Sequence, residues 1–335
     1  MNFKDLSELW LKDHSVDIKI STLSVYKACL HNWLLPYFGE NTSVSNKDAQ
    51  EWADLQLRVG RVSQKTIKDT LIVLQMVLKF GKRLDLFEYS GQFSIKYPRV
   101  NVKEANKKLE VLSKPDFKTL KIYLEENFSF RNLGLLIAMH TGMRIGEVCG
   151  LRLSDIDLKE GVLNVNRTVQ RINFKDTVSS VVTLEDLQRY ADIDGLEIVT
   201  PSKKQKRENS VVIISNPKTV NANREIPLSS NLIKIVKNVD KILQNKEAFL
   251  ITGSEYVMEP RVYREHFYRT LSKLNIPKIK FHGIRHTFAT YCIEAGADVK
   301  TTSLMLGHSD VSITLNIYVN PDIKTKKAVI NKIFK

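Results

Sequence analysis

One segment of the sequence divides the chain in two. From Tyr97 to Lys108 the residues are polar and charged, show no sustained hydrophobic period and include a proline near the start. This composition is typical of a linker, because it offers no apolar face to bury. At 335 residues the chain also exceeds the usual size of a single core. We therefore predict two domains, residues 1–98 and 109–335, joined by a linker over residues 99–108.

The residues before this linker follow a helical hydrophobic period. Leu71, Leu74, Val77 and Leu78 form one apolar stripe, and Ser63 is placed to cap the start of that helix. We predict an all-helical domain of four or five helices. Polar and basic residues lie on or near these helices at Thr22, Lys27, Lys65, Lys68, Lys79, Lys82 and Arg83. They suit contacts with phosphate, and they equally suit an ordinary solvated helix face.

The residues after the linker mix helical and strand-like patterns. Helices are predicted near residues 130–150, 230–246, 260–274 and 283–317, with a further helix start at Ser113–Asp116. Strand-like runs cover residues 161–170, 211–215, 224–228 and 249–252. The predicted fold class is mainly α with a small antiparallel β-sheet: an all-helical first domain and a mixed α+β second domain.

Composition indicates the kind of partner. Lys and Arg number 51 against 37 Asp and Glu, which gives a formal charge of +14 and a pI near 9.5. Such an excess predicts a polyanionic partner, and nucleic acid is the leading choice. The longest apolar runs, such as residues 133–139, fall well short of the roughly 20 residues that span a bilayer. We expect no membrane partner.

The cysteines and the first residues bear on location. Cys29, Cys149 and Cys292 are few, odd in number and scattered, and no leader pattern opens the sequence. We therefore expect a cytoplasmic protein without disulfides and without a zinc site.

Several short motifs follow one another in the second half of the chain. In order they are His140-Thr-Gly-Met-Arg144-Ile-Gly-Glu147, Pro217-Lys218-Thr219, Arg224-Glu-Ile-Pro-Leu228, His282-Gly-Ile-Arg285, Leu306-Gly-His308 and Tyr318. Together they resemble the tyrosine recombinase family, which includes the phage integrases, the Xer recombinases and Cre. The resemblance covers about residues 110–320 and requires several motifs in a fixed order, so it is more specific than any single short motif.

The resemblance implies a function and a set of site residues. It implies a site-specific DNA recombinase, an integrase, that cuts and rejoins strands through a covalent 3′-phosphotyrosine and a Holliday junction. The first domain would bind the core DNA site and the second would be catalytic. The implied catalytic residues are Arg144, Lys218, His282, Arg285, His308 and Tyr318, with Glu147 behind Arg144 as an orienting carboxylate.

The residue types fit phosphoryl transfer. Planar guanidinium groups can hold two nonbridging oxygens of a phosphate, so Arg144 and Arg285 would form a clamp. Deprotonating a tyrosine of pKa near 10 at neutral pH costs about 4 kcal/mol, which calls for a proton acceptor, and His282 is our candidate. The resemblance assigns protonation of the leaving 5′ oxygen to Lys218 and a phosphate hydrogen bond to His308. Since the bond energy is kept in the phosphotyrosine, we expect no cofactor and no metal.

The resemblance also implies partners. Four copies would act on two duplexes carrying recombination sites, and a need for an accessory directionality factor stays open. We favour the integrase of a mobile element over a chromosome-resolving Xer protein, chiefly because of an apparent insertion at about residues 171–212. The tail over residues 322–335 carries apolar residues at helical spacing, which suits packing into a neighbouring protomer or packing in cis. No separate arm-site domain is expected.

Each site residue also has a purely structural interpretation. Arg144 could cap a helix, His282 could be a core histidine and Tyr318 could be a packing aromatic. Glu147 could form only a surface ion pair with Arg144, worth under about 1 kcal/mol. Lys218 competes for its role with Lys203, Lys204, Lys206 and Lys234. Two other functions stay open: a DNA-binding regulator that does not react, and a type IB topoisomerase.

Overall fold

The chain folds as two compact units. The structure is a computed structural model that describes residues 1–16, 18–89, 91, 94–97, 110–173, 184–194, 196–199, 210–216, 223–243 and 245–317. The first unit comprises Met1–Asn106 and Ile172–Ile193, and the second comprises Lys107–Arg171 and Asp194–Lys335. In the part of the chain that is described, no helix combines the length and the apolar character needed to cross a membrane.

Helices form most of the first unit. They are α1 (Phe3–His14), α2 (Ile20–Cys29), a π-helical turn (Leu30–Leu34), α3 (Leu35–Phe38), α4 (Asn46–Val59) and α5 (Gln64–Arg83). Local sequence explains two of their starts. The Ser63 hydroxyl accepts from the Thr66 amide at the start of α5, as expected, and Ser45 forms a capping box with Asp48 at the start of α4.

The core of this unit is aromatic and aliphatic. Trp52 and Phe38 are fully buried, and the stripe of α5, including Leu74 and Val77, packs against them in one apolar cluster. One detail differs from the all-helical prediction. Strands β1 (Ser43–Val44) and β2 (Glu88–Tyr89) form a short parallel pair, since the chain after α5 returns alongside the loop before α4.

The first unit also contains a helix from the predicted insertion. Helix α9 (Leu184–Asp194) places Leu187 and Tyr190 in buried positions. The Tyr190 hydroxyl lies 2.6 Å from the Ile18 carbonyl oxygen and 2.7 Å from that of Ser15. Asp186 accepts from the Lys27 ammonium at 2.6 Å, with both side chains less than a fifth exposed. Apolar burial and paired polar groups therefore hold α9 against α2 and the loop before it.

Two expectations change as a result. We expected the whole insertion to belong to the second domain, whereas residues 172–193 belong to the first unit because their buried contacts lie there. Lys27, which we grouped with candidate phosphate contacts, instead neutralises Asp186. Lys65 forms an exposed ion pair with Asp69, and the ammonium of Lys68 lies over the ring of Tyr97.

The second unit is built mainly from helices around small sheets. Its helices are α6 (Lys114–Glu126), α7 (Phe130–Thr141), α8 (Ile145–Gly150), α10 (Ser230–Ile242), α11 (Pro260–Lys273), α12 (His282–Glu294), α13 (Val299–Leu306) and α14 (Val311–Ile317), with a 3₁₀ turn at Leu153–Asp155. The central helix α7 is buried nearly all round, and its apolar residues lie in a core cluster with α11 and the sheets. The hydroxyl of Ser113 accepts from the Asp116 amide and caps α6, as its sequence predicts.

Two three-stranded sheets complete this unit. One has the order β3 (Ile156–Asp157), β4 (Val162–Val165), β8 (Arg224–Pro227), with antiparallel pairs Leu163↔Ile226 and Val165↔Arg224. The other has the order β5 (Thr168–Asn173), β7 (Ser210–Ser215), β6 (Glu197–Val199), with β6 and β7 antiparallel. The predicted class, mainly α with a small amount of antiparallel sheet, is confirmed.

Four predicted elements have different bounds. The predicted helix near residues 130–150 is two helices, α7 and α8, because the chain turns at Gly142, which has a positive φ. Residues 249–252 form a turn, because Gly253 at φ +64° folds the chain back and pairs Phe249 with Ser254. The predicted strand 161–170 divides into β4 and β5. The predicted helix 283–317 is three helices, with the chain turning at Gly296 and Gly307, both at positive φ. The linker 99–108, the basic stretch Lys203–Arg207 and the tail 322–335 lie outside the described residues.

Candidate active site

Arg144 lies in a sharp turn between two helices. Helix α7 ends at Gly142, whose φ of +63° favours glycine, and a β-carbon there would come within 2.7 Å of side chains of Phe288 and Leu306. Two residues later Arg144 occupies the N-cap position of α8. The Thr-Gly-Met-Arg sequence therefore forces the chain to turn where Arg144 is needed, and its side chain remains 40% exposed.

Glu147 is buried beneath Arg144. One carboxylate oxygen accepts from the Arg144 amide at 2.8 Å and the other from Arg144 Nη1 at 2.8 Å. Arg224, at the start of β8, donates to the same carboxylate through Nη2 at 2.9 Å and Nη1 at 3.2 Å. With Glu147 only 3% exposed, the surface ion pair that we left open does not describe it. Burial alone would raise the pKa of Glu147, but the hydrogen bonds and charges of Arg224 and Arg144 lower it.

Arg285 lies deeper in the unit. It is the fourth residue of α12 and is 1% exposed, yet its Nη1 donates to the Gly142 carbonyl at 3.0 Å and its Nη2 to the Leu306 carbonyl at 2.5 Å. Among the described residues its Nε is buried without a partner. Burial, followed by the charge of Arg144, lowers the pKa of Arg285 to about 9, so the guanidinium keeps its charge at neutral pH.

Three consecutive carbonyl groups connect these arginines to His308. The Met305 carbonyl accepts from Arg224 Nε at 2.7 Å, the Leu306 carbonyl from Arg285, and the Gly307 carbonyl from Arg144 Nη2 at 3.1 Å. Each arginine therefore holds one residue of the segment that ends α13. His308 follows at once, and Gly307 at φ +66° provides the turn.

His308 and His282 differ in their surroundings. His308 is 9% exposed, and its Nδ1 lies 2.8 Å from the buried Thr314 hydroxyl. Burial lowers the pKa of His308 to about 3, and the charges of Arg285 and Arg144 act in the same direction. His282 opens α12, remains accessible to solvent on one side, and packs edge-on against His286 at a centroid distance of 4.6 Å.

The pKa of His282 is also low. Desolvation by the surrounding protein, followed by the positive charges of His286, Arg285 and Arg144, lowers the pKa of His282 to about 4. The neighbouring His286 has a buried Nδ1 with no partner in the described part of the chain, and burial lowers its pKa as well. Both His282 and His308 are therefore neutral at pH 7.

A cavity of about 430 Å³ opens beside Arg144 and His282. Arg264 and Lys280 add positive charge to its wall, and Met143, Ile145, Tyr268 and Phe281 complete the lining. The cavity gives Arg144 and His282 access to a ligand from solvent, and its charge suits an anion.

Four of the six predicted catalytic residues are thus described, and the structure brings Arg144, Arg285, His282 and His308 together in one unit. Lys218 lies in the connection between β7 and β8, over residues 217–222, and Tyr318 immediately follows α14; both are outside the described residues.

A family model confirms what the motifs indicated. The model of the phage integrase family matches residues 104–207 and 182–324, and that of the N-terminal SAM-like domain of phage integrases matches residues 2–42. The chain belongs to the phage integrase family. The two longer matches overlap over residues 182–207, inside the predicted insertion of this family member.

Relatives within this family include recombinases and transposases. A tyrosine recombinase XerC-like protein of Caldanaerobacter subterraneus subsp. tengcongensis is 30% identical over 207 residues, 57% of this chain and 46% of that protein. The transposase of transposon Tn916 from Enterococcus faecalis is 26% identical over 308 residues, 88% of this chain and 67% of that protein. The chain thus spans about half the length of the first relative and about two thirds of the second.

Solved structures share the fold of this phage integrase family member. The integrase of transposon Tn1549, in complex with transposon right-end DNA, superposes with a TM-score of 0.70 at 20% identity, covering 100% of both chains. Lambda integrase bound to DNA gives a TM-score of 0.58 at 13% identity, covering 92% of both.

Arg224 is the site residue that sequence reasoning missed. We noted its Arg-Glu-Ile-Pro-Leu segment as one of the motifs that carry the resemblance, but gave Arg224 no role in the site. A carboxylate needs charge compensation from cationic partners if it is buried. The sequence did not show that Glu147 is buried, so it gave no reason to seek a second cationic partner.

Proposed function

We propose that this chain is a site-specific tyrosine recombinase, an integrase of a mobile element. The observation that carries the proposal is the shared anchoring of Arg144, Arg285 and His308 on one segment, residues 305–308. Groups held this way keep fixed positions relative to one another, as stabilisation of a transition state requires. Membership of the phage integrase family and the named relatives support the same activity.

The charge of the cluster suits a phosphoryl transition state. Arg144, Arg224 and Arg285 contribute three positive charges and Glu147 one negative charge, so the net charge is 3 − 1 = +2. A phosphodiester carries one negative charge, and its pentacovalent state spreads about two over the equatorial oxygens. The cluster therefore matches the transition state better than the ground state, which is the condition for catalysis.

The proposed reaction exchanges one phosphoester bond for another. The Tyr318 oxygen attacks the scissile phosphorus and loses its proton to neutral His282, while the bond to the 5′ oxygen breaks and Lys218 supplies that oxygen with a proton. Arg144 and Arg285 hold the nonbridging oxygens, His308 donates a hydrogen bond, and Glu147 orients Arg144. The resulting 3′-phosphotyrosine keeps the bond energy for rejoining, so each step is reversible without ATP.

We extend the proposal to the assembly. Four copies would bind two duplexes at their recombination sites and exchange strands through a Holliday junction, in the cytoplasm, with an accessory factor setting direction. The first unit would bind the core DNA site. DNA complexes of the Tn1549 integrase, which shares the fold, support the DNA partner.

A covalent trapping experiment tests the activity. A labelled duplex carrying the repeated ends of the DNA around the gene, nicked beside the scissile phosphate, should form an adduct with wild type that survives denaturation. The labelled peptide should contain Tyr318. Tyr318→Phe should bind the same duplex and form no adduct, because only the nucleophilic oxygen is lost.

Tyr291 provides a matched control. Its hydroxyl donates to the Leu112 carbonyl at 3.2 Å, its ring packs against Phe117, and burial raises its pKa, so it is a poor nucleophile. Tyr291→Phe should therefore keep the adduct. An adduct that persists in Tyr318→Phe and disappears in Tyr291→Phe would overturn our assignment of the nucleophile.

A further inference from the structure

Arg224 occupies a position from which it can act only through other residues. Its side chain is 5% exposed, and it does not line the cavity beside Arg144 and His282. Its planar group is used on two sides: Nη1 and Nη2 contact both oxygens of Glu147, and Nε donates to the Met305 carbonyl at 2.7 Å. A lysine could not make both contacts from one place, because its ammonium is a single point of charge.

The Glu147 end of this contact affects Arg144. Glu147 is nearly fully buried, so its negative charge needs compensation. Arg224 provides part of it and occupies both oxygens from one side. Without Arg224, Arg144 would be the remaining cation hydrogen-bonded to that carboxylate, and the attraction would hold its guanidinium on Glu147 and away from a bound phosphate.

The Met305 end affects His308. Residues 305, 306 and 307 are held by Arg224, Arg285 and Arg144 in turn, so loss of the first bond loosens the segment that ends in His308. Arg224 also begins β8, directly after residues 217–222, which carry Lys218. The buried Arg224 side chain therefore connects the start of β8 to Arg144 through Glu147, and to the segment before His308 through the Met305 carbonyl.

We propose that Arg224 is a positioning residue for strand cleavage: it frees Arg144 for the scissile phosphate by sharing the charge of Glu147, and it fixes the segment that carries His308. The inference rests on the proposed recombinase activity. It assigns to Arg224 no contact with DNA and no proton transfer.

The substrate charge distinguishes positioning from a general structural role. A scissile methylphosphonate replaces one charged nonbridging oxygen with a methyl group, so cleavage depends less on the arginine clamp. Arg224→Met should bind the nicked duplex normally and should cleave the natural phosphate at least about tenfold more slowly than wild type. On the methylphosphonate the two proteins should differ by less than about threefold.

A second substitution tests the charge argument. In Arg224→Met the uncompensated Glu147 is what captures Arg144, so adding Glu147→Gln should recover part of the lost rate on the natural phosphate. Arg171→Met is the matched control, because Arg171 forms another buried two-point pair with a carboxylate, Glu259. It should lower stability by a similar amount without changing the ratio of rates on the two substrates.

The possible results distinguish failure of the proposed function from failure of the inference about Arg224. No adduct from wild type would overturn the proposed function. With wild type active, the inference fails if Arg224→Met cleaves the natural phosphate at the wild-type rate, or if its defect is equally large on both substrates. If Arg224→Met does not fold, Arg224→Gln, which also removes the charge but keeps a hydrogen-bond donor, provides the same comparison between substrates.

Discussion

The Nδ1 of His308 lies 2.8 Å from the hydroxyl of Thr314, and both groups are buried. This contact occupies one ring nitrogen, so Nε2 is the nitrogen left to meet a phosphate. When Thr314 donates to Nδ1, the neutral ring carries its proton on Nε2 and can donate it. Thr314 lies four residues before Tyr318, so the same contact connects the histidine to the helix that precedes the proposed nucleophile.

The low pKa of His308 predicts how stability depends on pH. Its pKa of about 3 in the folded chain lies below the ordinary 6.5, so the unfolded chain binds more protons between these values. The contribution of His308 to the free energy of unfolding is therefore fully present above pH 6.5 and is lost as the pH falls toward 3. For this one buried group the loss between pH 7 and pH 5 is about 2 kcal/mol.

Thermal melts at constant ionic strength measure this effect. Other histidines with lowered pKa values contribute too, so wild type is compared with His308→Asn, which can keep a hydrogen bond to Thr314. The variant should lose less stability than wild type between pH 7 and pH 5. Equal losses would contradict the assigned environment of His308.

Lys218 should be needed for cleavage and not for binding. Lys218→Ala should slow cleavage by about 100-fold, since a positioned acid commonly contributes that much. A substrate whose 5′ bridging oxygen is sulfur releases a leaving group that needs no proton, so it should restore the rate. Lys234→Ala, at an exposed position on α10, is the control and should cleave both substrates normally. Failure of the sulfur substrate to rescue Lys218→Ala would assign the acid to another residue.

The contact between Lys27 and Asp186 should stabilise the first unit. Replacing Asp186 removes the carboxylate that pairs with the mostly buried Lys27 ammonium, so Asp186→Leu should cost about 3 kcal/mol. Lys27→Met should cost less, because Arg189 also lies 3.9 Å from Asp186, and the double variant should cost less than the sum of the two. Trp10, Trp33 and Trp52 are the three tryptophans of the chain and all lie in the first unit. Tryptophan fluorescence during urea unfolding therefore reports on that unit.

An exposed pair in the same unit serves as the control. Lys65 and Asp69 have side chains that are 83% and 53% exposed, and their coupling should be below about 0.5 kcal/mol. If Lys27 and Asp186 couple no more strongly than this exposed pair, α9 does not contribute to the stability of the unit in the way described.

The tail should matter for assembly. Deleting Asp322–Lys335 should leave binding to a single site unchanged and should reduce the higher-order complex and recombination, if the tail packs into a neighbouring protomer. Gel mobility on one site and on paired sites measures the two steps separately. Recombination at the wild-type level would favour packing in cis.

Much of this molecule could be predicted from local sequence. Ser63 and Ser113 cap helices where their patterns indicate, because a cap depends only on the next three residues. These features need no information from distant parts of the chain.

What could not be predicted depends on distant contacts. The role of Arg224 follows from a hydrogen bond that spans 77 residues, and the place of α9 from one that spans 159. Residues 249–252 have the apolar composition of a strand, yet Gly253 turns the chain before a partner strand could extend it. Local sequence patterns do not show which distant partner buries an element, or whether a partner strand is present.

The position of α9 changes where this protein could be cut and recombined with a relative. A chimaera made at the linker, with residues 1–98 taken from another integrase, would place α9 against a different surface, and Asp186 would keep its ion pair only where that surface carries a cation at the position of Lys27. Helix α9 and the surface that it packs against belong to one structural unit, even though 154 residues separate Leu30 from Leu184 in the sequence. Exchanging the first unit with that of a relative therefore requires transplanting both segments together.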